Sequence, residues 1–326
     1  MADMSPEPIL QVASGFMAFK HLAVASEVGV FSGLADGPLT LDALAERTGL
    51  PRRTLRIVAD AMVALGFLER QGDTYQNGPV AATFLSGHTP ADLRPFLRFW
   101  NALSYPLWLH FETAIRGGAV PPQELSEAQQ QIFSAGVEAL TAGVAQTLAM
   151  SYDFARHQRL LDVGGGTGSF LLAILRRHPH LRGTLFELPG VAVIARQRLE
   201  GDPVTARVEI VEGDALQDEI PAGHDAVLLA NFVHLFAPER IQDVLQRIRE
   251  QVPAGARLLL VDFWTNPTHT QPVAAALLAG EFLLVSGAGD VYSVEEMQRW
   301  LEATRWQLRD HQPLAGPQSL LVAEAM

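Results

Sequence analysis

Apolar residues recur at helical spacing from the start of the chain. Between Ile9 and Leu34, the residues Ile9, Val12, Phe16, Phe19, Leu22 and Ala23 repeat with few charges among them. A helix this apolar demands a surface to lie against. Residues Thr40 to Thr48 then read as a capped helix stopped by Gly49, and Pro51 to Leu65 as a second helix ended by Gly66. Phe67-Leu68-Glu69-Arg70 and Thr74-Tyr75-Gln76, separated by a polar turn with a glycine, predict a hairpin. Helix, tight turn, helix and hairpin make a winged helix–turn–helix. From Leu93 to Met150 the pattern stays helical and crowds Phe96, Phe99, Trp100, Tyr105, Trp108 and Phe111 together. One long loop is expected, Gly117 to Ser126, with two adjacent prolines.

After Arg159 the pattern changes. Short apolar strands are expected at 160–163, 183–187, 208–211, 226–230, 257–263 and 319–324, with helices between them such as Pro238 to Gln251 and Val294 to Thr304. Strand–helix alternation of this kind predicts a doubly wound, Rossmann-like α/β sheet. Three segments result: a mainly helical winged-helix domain (1–95), linking helices (96–150) and the α/β domain (151–326).

Composition narrows the class. Of 326 residues, 48% are apolar and 18% charged, which is ordinary for a soluble globular enzyme. A net charge of −12 disfavours nucleic acid and anionic membrane as partners, because both need a basic face. Arg52, Arg53 and Arg56 do sit on the second helix of the winged unit, but its wing, Gln71-Gly72-Asp73-Thr74, has no lysine to grip phosphate. The absence of cysteine removes disulfides, thiolate metal sites and cysteine nucleophiles. No His/Asp/Glu cluster has ligand spacing, so no metal is expected. The start, MADMSPEPIL, lacks the basic stretch and apolar run of a signal peptide. Uninterrupted apolar stretches such as Val273 to Ala279 are too short to span a bilayer. A cytoplasmic protein is the expectation.

The chemistry starts at Leu160-Leu161-Asp162-Val163-Gly164-Gly165-Gly166-Thr167-Gly168-Ser169-Phe170, a strand running into a glycine turn and then a helix. Main-chain N–H groups and the positive end of that helix face whatever occupies the turn. The dinucleotide fingerprint needs Gly or Ala where Ser169 stands, and no P-loop motif is present. Asp162 and the packed glycines fit S-adenosylmethionine (SAM) instead, whose methionine end offers a carboxylate and an ammonium. Two further strand ends agree. Glu187 closes 183–187, where a carboxylate accepts from both ribose hydroxyls, and Asp214 in Gly213-Asp214-Ala215 follows 208–211, where it accepts from the adenine amine. The cofactor-binding candidates are Gly164, Gly166, Glu187, Asp214, Ala215 and Asn231, the last at the end of the fourth strand.

These motifs resemble SAM-dependent O-methyltransferases of the plant phenolic and bacterial polyketide type. The likeness rests on Leu161 to Leu188, on Phe186-Glu187-Leu188-Pro189 as the family's F-[DE]-L-P, on Gly213-Asp214-Ala215-Leu216 and on Asn231-Phe232-Val233-His234-Leu235-Phe236. It extends over most of the chain. The resemblance implies that the winged unit pairs two subunits into a homodimer instead of binding DNA. It also implies a small-molecule acceptor in a cleft that some of the six aromatics line.

His234 is the catalytic candidate, since the family's histidine at that position is the general base. Methyl transfer from a sulfonium is an in-line displacement governed by proximity and orientation. A phenol with a pKa of about 10 gains from a base that titrates near neutral pH. The match is incomplete, because Leu235 and Phe236 stand where the family has aspartate and tryptophan. Val291 stands where plant members carry a glutamate that orients the histidine, and a second family glutamate has no counterpart around Gln318. On this reading the orienting carboxylate is missing, with Asp290 or Glu281 as substitutes, and a histidine merely packed beside Phe236 is the alternative. O-methylation of a small aromatic or polyketide hydroxyl is the expected reaction. C- or N-methylation on the same scaffold, a SAM-binding relative that no longer methylates, and a DNA-binding regulator are the competing readings.

Overall fold

A computed structural model describes residues 5–120 and 125–326, and these divide into two units, 5–106 with 125–140 and 107–120 with 141–326. The first four residues of the chain and the prolines of the expected loop lie outside the described residues.

The first unit opens with the Glu7–Glu27 helix, which ends before Gly29 in the left-handed region at φ 81°. Only Ala23 and Ala25 of this helix are buried, whereas Ile9, Val12 and Phe16 are 73%, 83% and 52% exposed. Its C-terminal end joins the core and its N-terminal half presents a bare apolar face. Strand β1 (Leu39–Thr40) leads into the Leu41–Thr48 helix, where the Thr40 side chain accepts the Ala43 N–H. The Arg52–Ala64 helix follows, then strands β2 (Leu68–Gln71) and β3 (Thr74–Asn77), paired antiparallel with β1 on the far side of β3. Leu44, Leu55, Ala59, Met62, Leu68 and Tyr75 close the core beneath them. Four of the six crowded aromatics pack inside this unit. Phe96 lies 4.7 Å from Trp100, Phe99 meets Phe133 at 5.2 Å, and Tyr105 stacks on Phe19.

The Glu7–Glu27 and Glu127–Ser151 helices are long and apolar enough to cross a bilayer by length and composition. Small and polar residues scattered along both helices break the apolar runs without lowering the average much, so a count of uninterrupted runs does not single them out. Core helices pass the same test.

The second unit is built on a seven-stranded sheet. Its strands are β4 (Arg159–Val163), β5 (Arg182–Glu187), β6 (Val208–Glu212), β7 (Ala226–Ala230), β8 (Arg257–Phe263), β9 (Trp306–Pro313) and β10 (Gln318–Ala325), in the order β6-β5-β4-β7-β8-β10-β9. β4 to β8 are mutually parallel, and β10 runs antiparallel to both β8 and β9. Residues alternate between two apolar layers, Leu160 and Leu228 on one face and Leu161, Val227 and Leu229 on the other. Parallel strands covered on both faces need this continuous apolarity.

Strand order turns at β4: the chain steps outward to β5 and β6, then returns to β7 on the other side. The crevice at such a switch point, at the carboxyl ends of the strands, is where a ligand has room. Strand β9 falls outside the strands expected from the apolar pattern. It is a sheet edge with polar, exposed residues beyond the buried Trp306, so it carries little apolar periodicity. Trp306 fixes its start by donating its indole N–H to the Leu245 carbonyl at 3.1 Å.

Candidate active site

The turn after β4 is shaped by residues that cannot carry side chains. Gly164 has φ 64°, and a Cβ there would come within 2.6 Å of the Phe232 ring. Gly166 has φ 60°, and the space where its side chain would stand is open. Gly166 donates its N–H to Glu187 Oε2 at 2.8 Å, while Glu187 Oε1 takes the Leu188 N–H at 2.8 Å. Glu187 is buried at the end of β5, and that burial raises its pKa. Asp162, fully buried, abuts the same turn, and both its carboxylate oxygens are without a hydrogen-bond partner among the described residues. Burial first, and the neighbouring Glu187 charge second, push its pKa up to about 7. Arg198 donates to Thr167 Oγ1 at 2.6 Å and to Ser169 Oγ at 2.8 Å, bracing the outgoing end of the turn.

The remaining cofactor candidates line up along the next strand ends. Asp214 follows β6, its carboxylate accepting the Leu216 N–H at 2.8 Å and the Gln217 amide at 2.7 Å. Those bonds shape its own turn and leave further lone pairs for a ligand. Ala215 is buried, with its carbonyl taken by Arg247 at 2.8 Å. Asn231 follows β7 in the left-handed region at φ 54°, and its side-chain oxygen accepts from Gln318 Nε2.

His234 lies on the single turn Val233–Leu235 after β7 and is buried. Its Nδ1 is 2.6 Å from Asp262 Oδ1, on β8. The same carboxylate accepts the main-chain N–H of Val233 at 3.0 Å and of Phe263 at 2.8 Å, which locks it in place. A carboxylate accepts, so Nδ1 carries the proton, and in the neutral ring Nε2 is then the nitrogen with the lone pair. Among the described residues the His234 ring is hydrogen-bonded at Nδ1 and not at Nε2. Phe282 lies face to face with the imidazole, with ring centroids 3.7 Å apart.

The expectation of a missing orienting carboxylate is corrected here. Val291 is indeed fully buried in an apolar cluster with Phe263 and Phe282, but Asp262 supplies the carboxylate from the neighbouring strand. Neither suggested substitute is that partner. Asp290 accepts the Val291 N–H at 2.7 Å, and Glu281 accepts the Trp108 indole N–H at 2.6 Å. In the sequence Asp262 stands inside the apolar strand expected at 257–263; a charge inside a strand buried on both faces is the signal that marks it. Trp108 and Phe111, the remaining two of the six aromatics, belong to this unit and pack 4.8 Å apart.

Comparison with known proteins gives the family. An O-methyltransferase domain model matches residues 110–305, and an O-methyltransferase dimerisation domain model matches 10–87. The chain belongs to the O-methyltransferase family. It is 31% identical over 305 residues to the 3-hydroxy-5-methyl-1-naphthoate 3-O-methyltransferase of Streptomyces sahachiroi, covering 91% of this chain and 88% of that one. It is 28% identical over 313 residues to the N,N-dimethyltransferase OxyT of Streptomyces rimosus, covering 92% and 90%. Among solved structures, PigF with SAH superposes with a TM-score of 0.85 at 25% identity, covering 98% of this chain and 100% of that one.

This O-methyltransferase is therefore a SAM-dependent enzyme with a Rossmann-like catalytic sheet. SAM, when bound, supplies an electrophilic methyl group. The residues present fit it: an open glycine turn, a buried carboxylate at the end of β5 and an unpaired buried carboxylate beside the turn.

Proposed function

We propose that this methyltransferase methylates a hydroxyl of a small aromatic or polyketide-type acceptor, with His234 as the general base. The observation that carries the reading is the 2.6 Å bond from His234 Nδ1 to Asp262, which leaves Nε2 to take the hydroxyl proton. Asp262 would hold the tautomer and stabilise the imidazolium once the proton arrives. The Gly164 and Gly166 main chain would seat the methionine end of SAM, Glu187 the ribose, Asp214 and Ala215 the adenine, and Asn231 the side facing the acceptor. The hydroxynaphthoate methyltransferase among the relatives supports a fused aromatic acceptor. N-methylation keeps a place because OxyT is nearly as similar. Incubating the enzyme with SAM and a panel of phenols, naphthols and aryl amines, then locating the methyl group by mass spectrometry and NMR, tests the reading. Methyl on oxygen supports it; methyl found only on nitrogen or carbon overturns it.

We also read residues 1–95 as a winged-helix dimerisation domain, 96–150 as linking helices and 151–326 as the SAM domain of a cytoplasmic homodimer. The exposed face of the Glu7–Glu27 helix supports dimerisation, since Ile9, Val12 and Phe16 need a cover. A DNA-binding use is disfavoured because Arg52 is paired with Asp42, and both Arg56 and Arg70 with Asp60. Light scattering should give a dimer that Val12→Asp with Phe16→Asp converts to a monomer; an unchanged mass would remove this helix from the interface.

A further inference from the structure

His234 is constrained in two directions. Asp262 fixes the ring within its plane, and Phe282 covers one face at 3.7 Å with 16° between the planes. Phe282 is carried by the Val273–Ser286 helix, whose sequence VAAALLAGEFLLVS contains one charged residue, Glu281. That carboxylate is buried at 7% exposure and accepts the Trp108 indole N–H at 2.6 Å. A buried carboxylate in an apolar helix weakens packing unless its hydrogen bonds compensate, so packing alone gives no reason for it. Gly280 lies against the same aromatic pair: a Cβ there would come within 2.9 Å of Trp108 and 3.1 Å of Phe111. Three consecutive residues, 280–282, thus join the Trp108–Phe111 pair to the imidazole.

We propose that Trp108 and Glu281 are positioning residues for His234, acting through Phe282. Successive residues of a helix point about 100° apart, so holding Glu281 against Trp108 sets the direction of Phe282. With Phe282 seated on one face and Asp262 bound at Nδ1, the imidazole is left one free nitrogen to offer. This deepens the reading of His234 as the base and rests on it for its catalytic consequence.

Proton and nitrogen NMR of the histidine rings tests the clamp without any acceptor. A phenyl ring stacked on the imidazole shields the imidazole protons. Trp108→Phe keeps an aromatic ring and deletes the N–H, so the His234 signals should move downfield, at least halfway to their positions in Phe282→Leu. Glu281→Gln retains an acceptor oxygen and should leave them close to wild type. With 2-naphthol as the acceptor, kcat of Trp108→Phe should fall about 10- to 100-fold while the KM for SAM holds. Trp108→Phe should cause no further loss in a His234→Ala background. Unmoved His234 signals in Trp108→Phe overturn the clamp, even if His234→Ala is inactive. Moved signals beside a His234→Ala enzyme of near-normal turnover uphold the clamp and overturn the base reading. An equal loss of turnover from Trp108→Phe with and without His234 overturns action through the histidine.

Discussion

The glycine turn and the histidine corner occupy one sheet but are built from different material. The turn is main chain: Gly164 and Gly166 adopt left-handed conformations, and Gly166 reaches the Glu187 carboxylate through its own N–H. Its parts follow at the ends of β4, β5 and β6, consecutive in sequence. The histidine corner is side chain. His234 depends on Asp262, 28 residues further on, and on Phe282, beside a carboxylate bonded to Trp108, 173 residues away. A site made of backbone admits few sequences, because a Cβ at Gly164 would strike Phe232. A site made of side chains depends on residues far apart in sequence: its carboxylate comes from β8, while position 291 holds a buried valine.

Substitutions that separate the two halves sharpen this contrast. The largest effect is expected at His234→Ala, where kcat should fall by about 10²–10⁴ with SAM affinity intact by calorimetry. The loss should shrink as pH approaches the pKa of the acceptor hydroxyl. Turnover near normal at neutral pH would show that orientation alone drives transfer.

Asp262→Asn should follow, with kcat reduced about 10²-fold, since an amide no longer enforces the Nδ1–H tautomer. An activity profile unchanged in both height and pH would remove Asp262 from the mechanism. Glu187→Ala should act on the other half. Losing a charged acceptor for the ribose costs about 1.5–3 kcal/mol, or roughly 10- to 150-fold in the Kd for SAM, with kcat at saturating SAM little altered. An unchanged Kd would exclude Glu187 from the site.

The smallest effect concerns Asp162 and stability. Its pKa is pushed up to about 7 from an ordinary 3.8, so the native state binds this proton more tightly than the unfolded chain. Its contribution to stability is full below the ordinary value and is lost as pH rises through about 7. His157 and His224, whose pKa values are lowered by burial, act in the opposite sense: their contribution is present above 6.5 and is lost as pH falls. Both histidines are shared by wild type and Asp162→Asn, so the difference between the two isolates the carboxyl. The Tm of Asp162→Asn should gain on wild type by about 5 °C as pH is raised from 4 to 8 without SAM. Parallel Tm curves would show that burial of Asp162 carries no charge penalty.

Legibility in the sequence follows the same division. The helices at Leu41–Thr48 and Arg52–Ala64 and the hairpin after them announce themselves through glycine stops and periodicity. Strand β9 does not, because an exposed edge has no apolar face to repeat. The bare face of the Glu7–Glu27 helix was visible as apolar spacing, but the spacing alone does not say that its N-terminal half stays uncovered within one chain.

What depends on neighbours along the chain is legible in residue types: the turn, the strand ends that carry Glu187 and Asp214, and the alternation that makes a doubly wound sheet. Backbone conformation and apolar period are local properties, and residue types report them directly. The tertiary structure alone decided which carboxylate meets His234, which ring covers it, and that Trp108 reaches Glu281 while Tyr105 packs against Phe19. Those contacts join strands and helices far apart in sequence. Strand order and helix packing set them, and no residue type encodes either on its own.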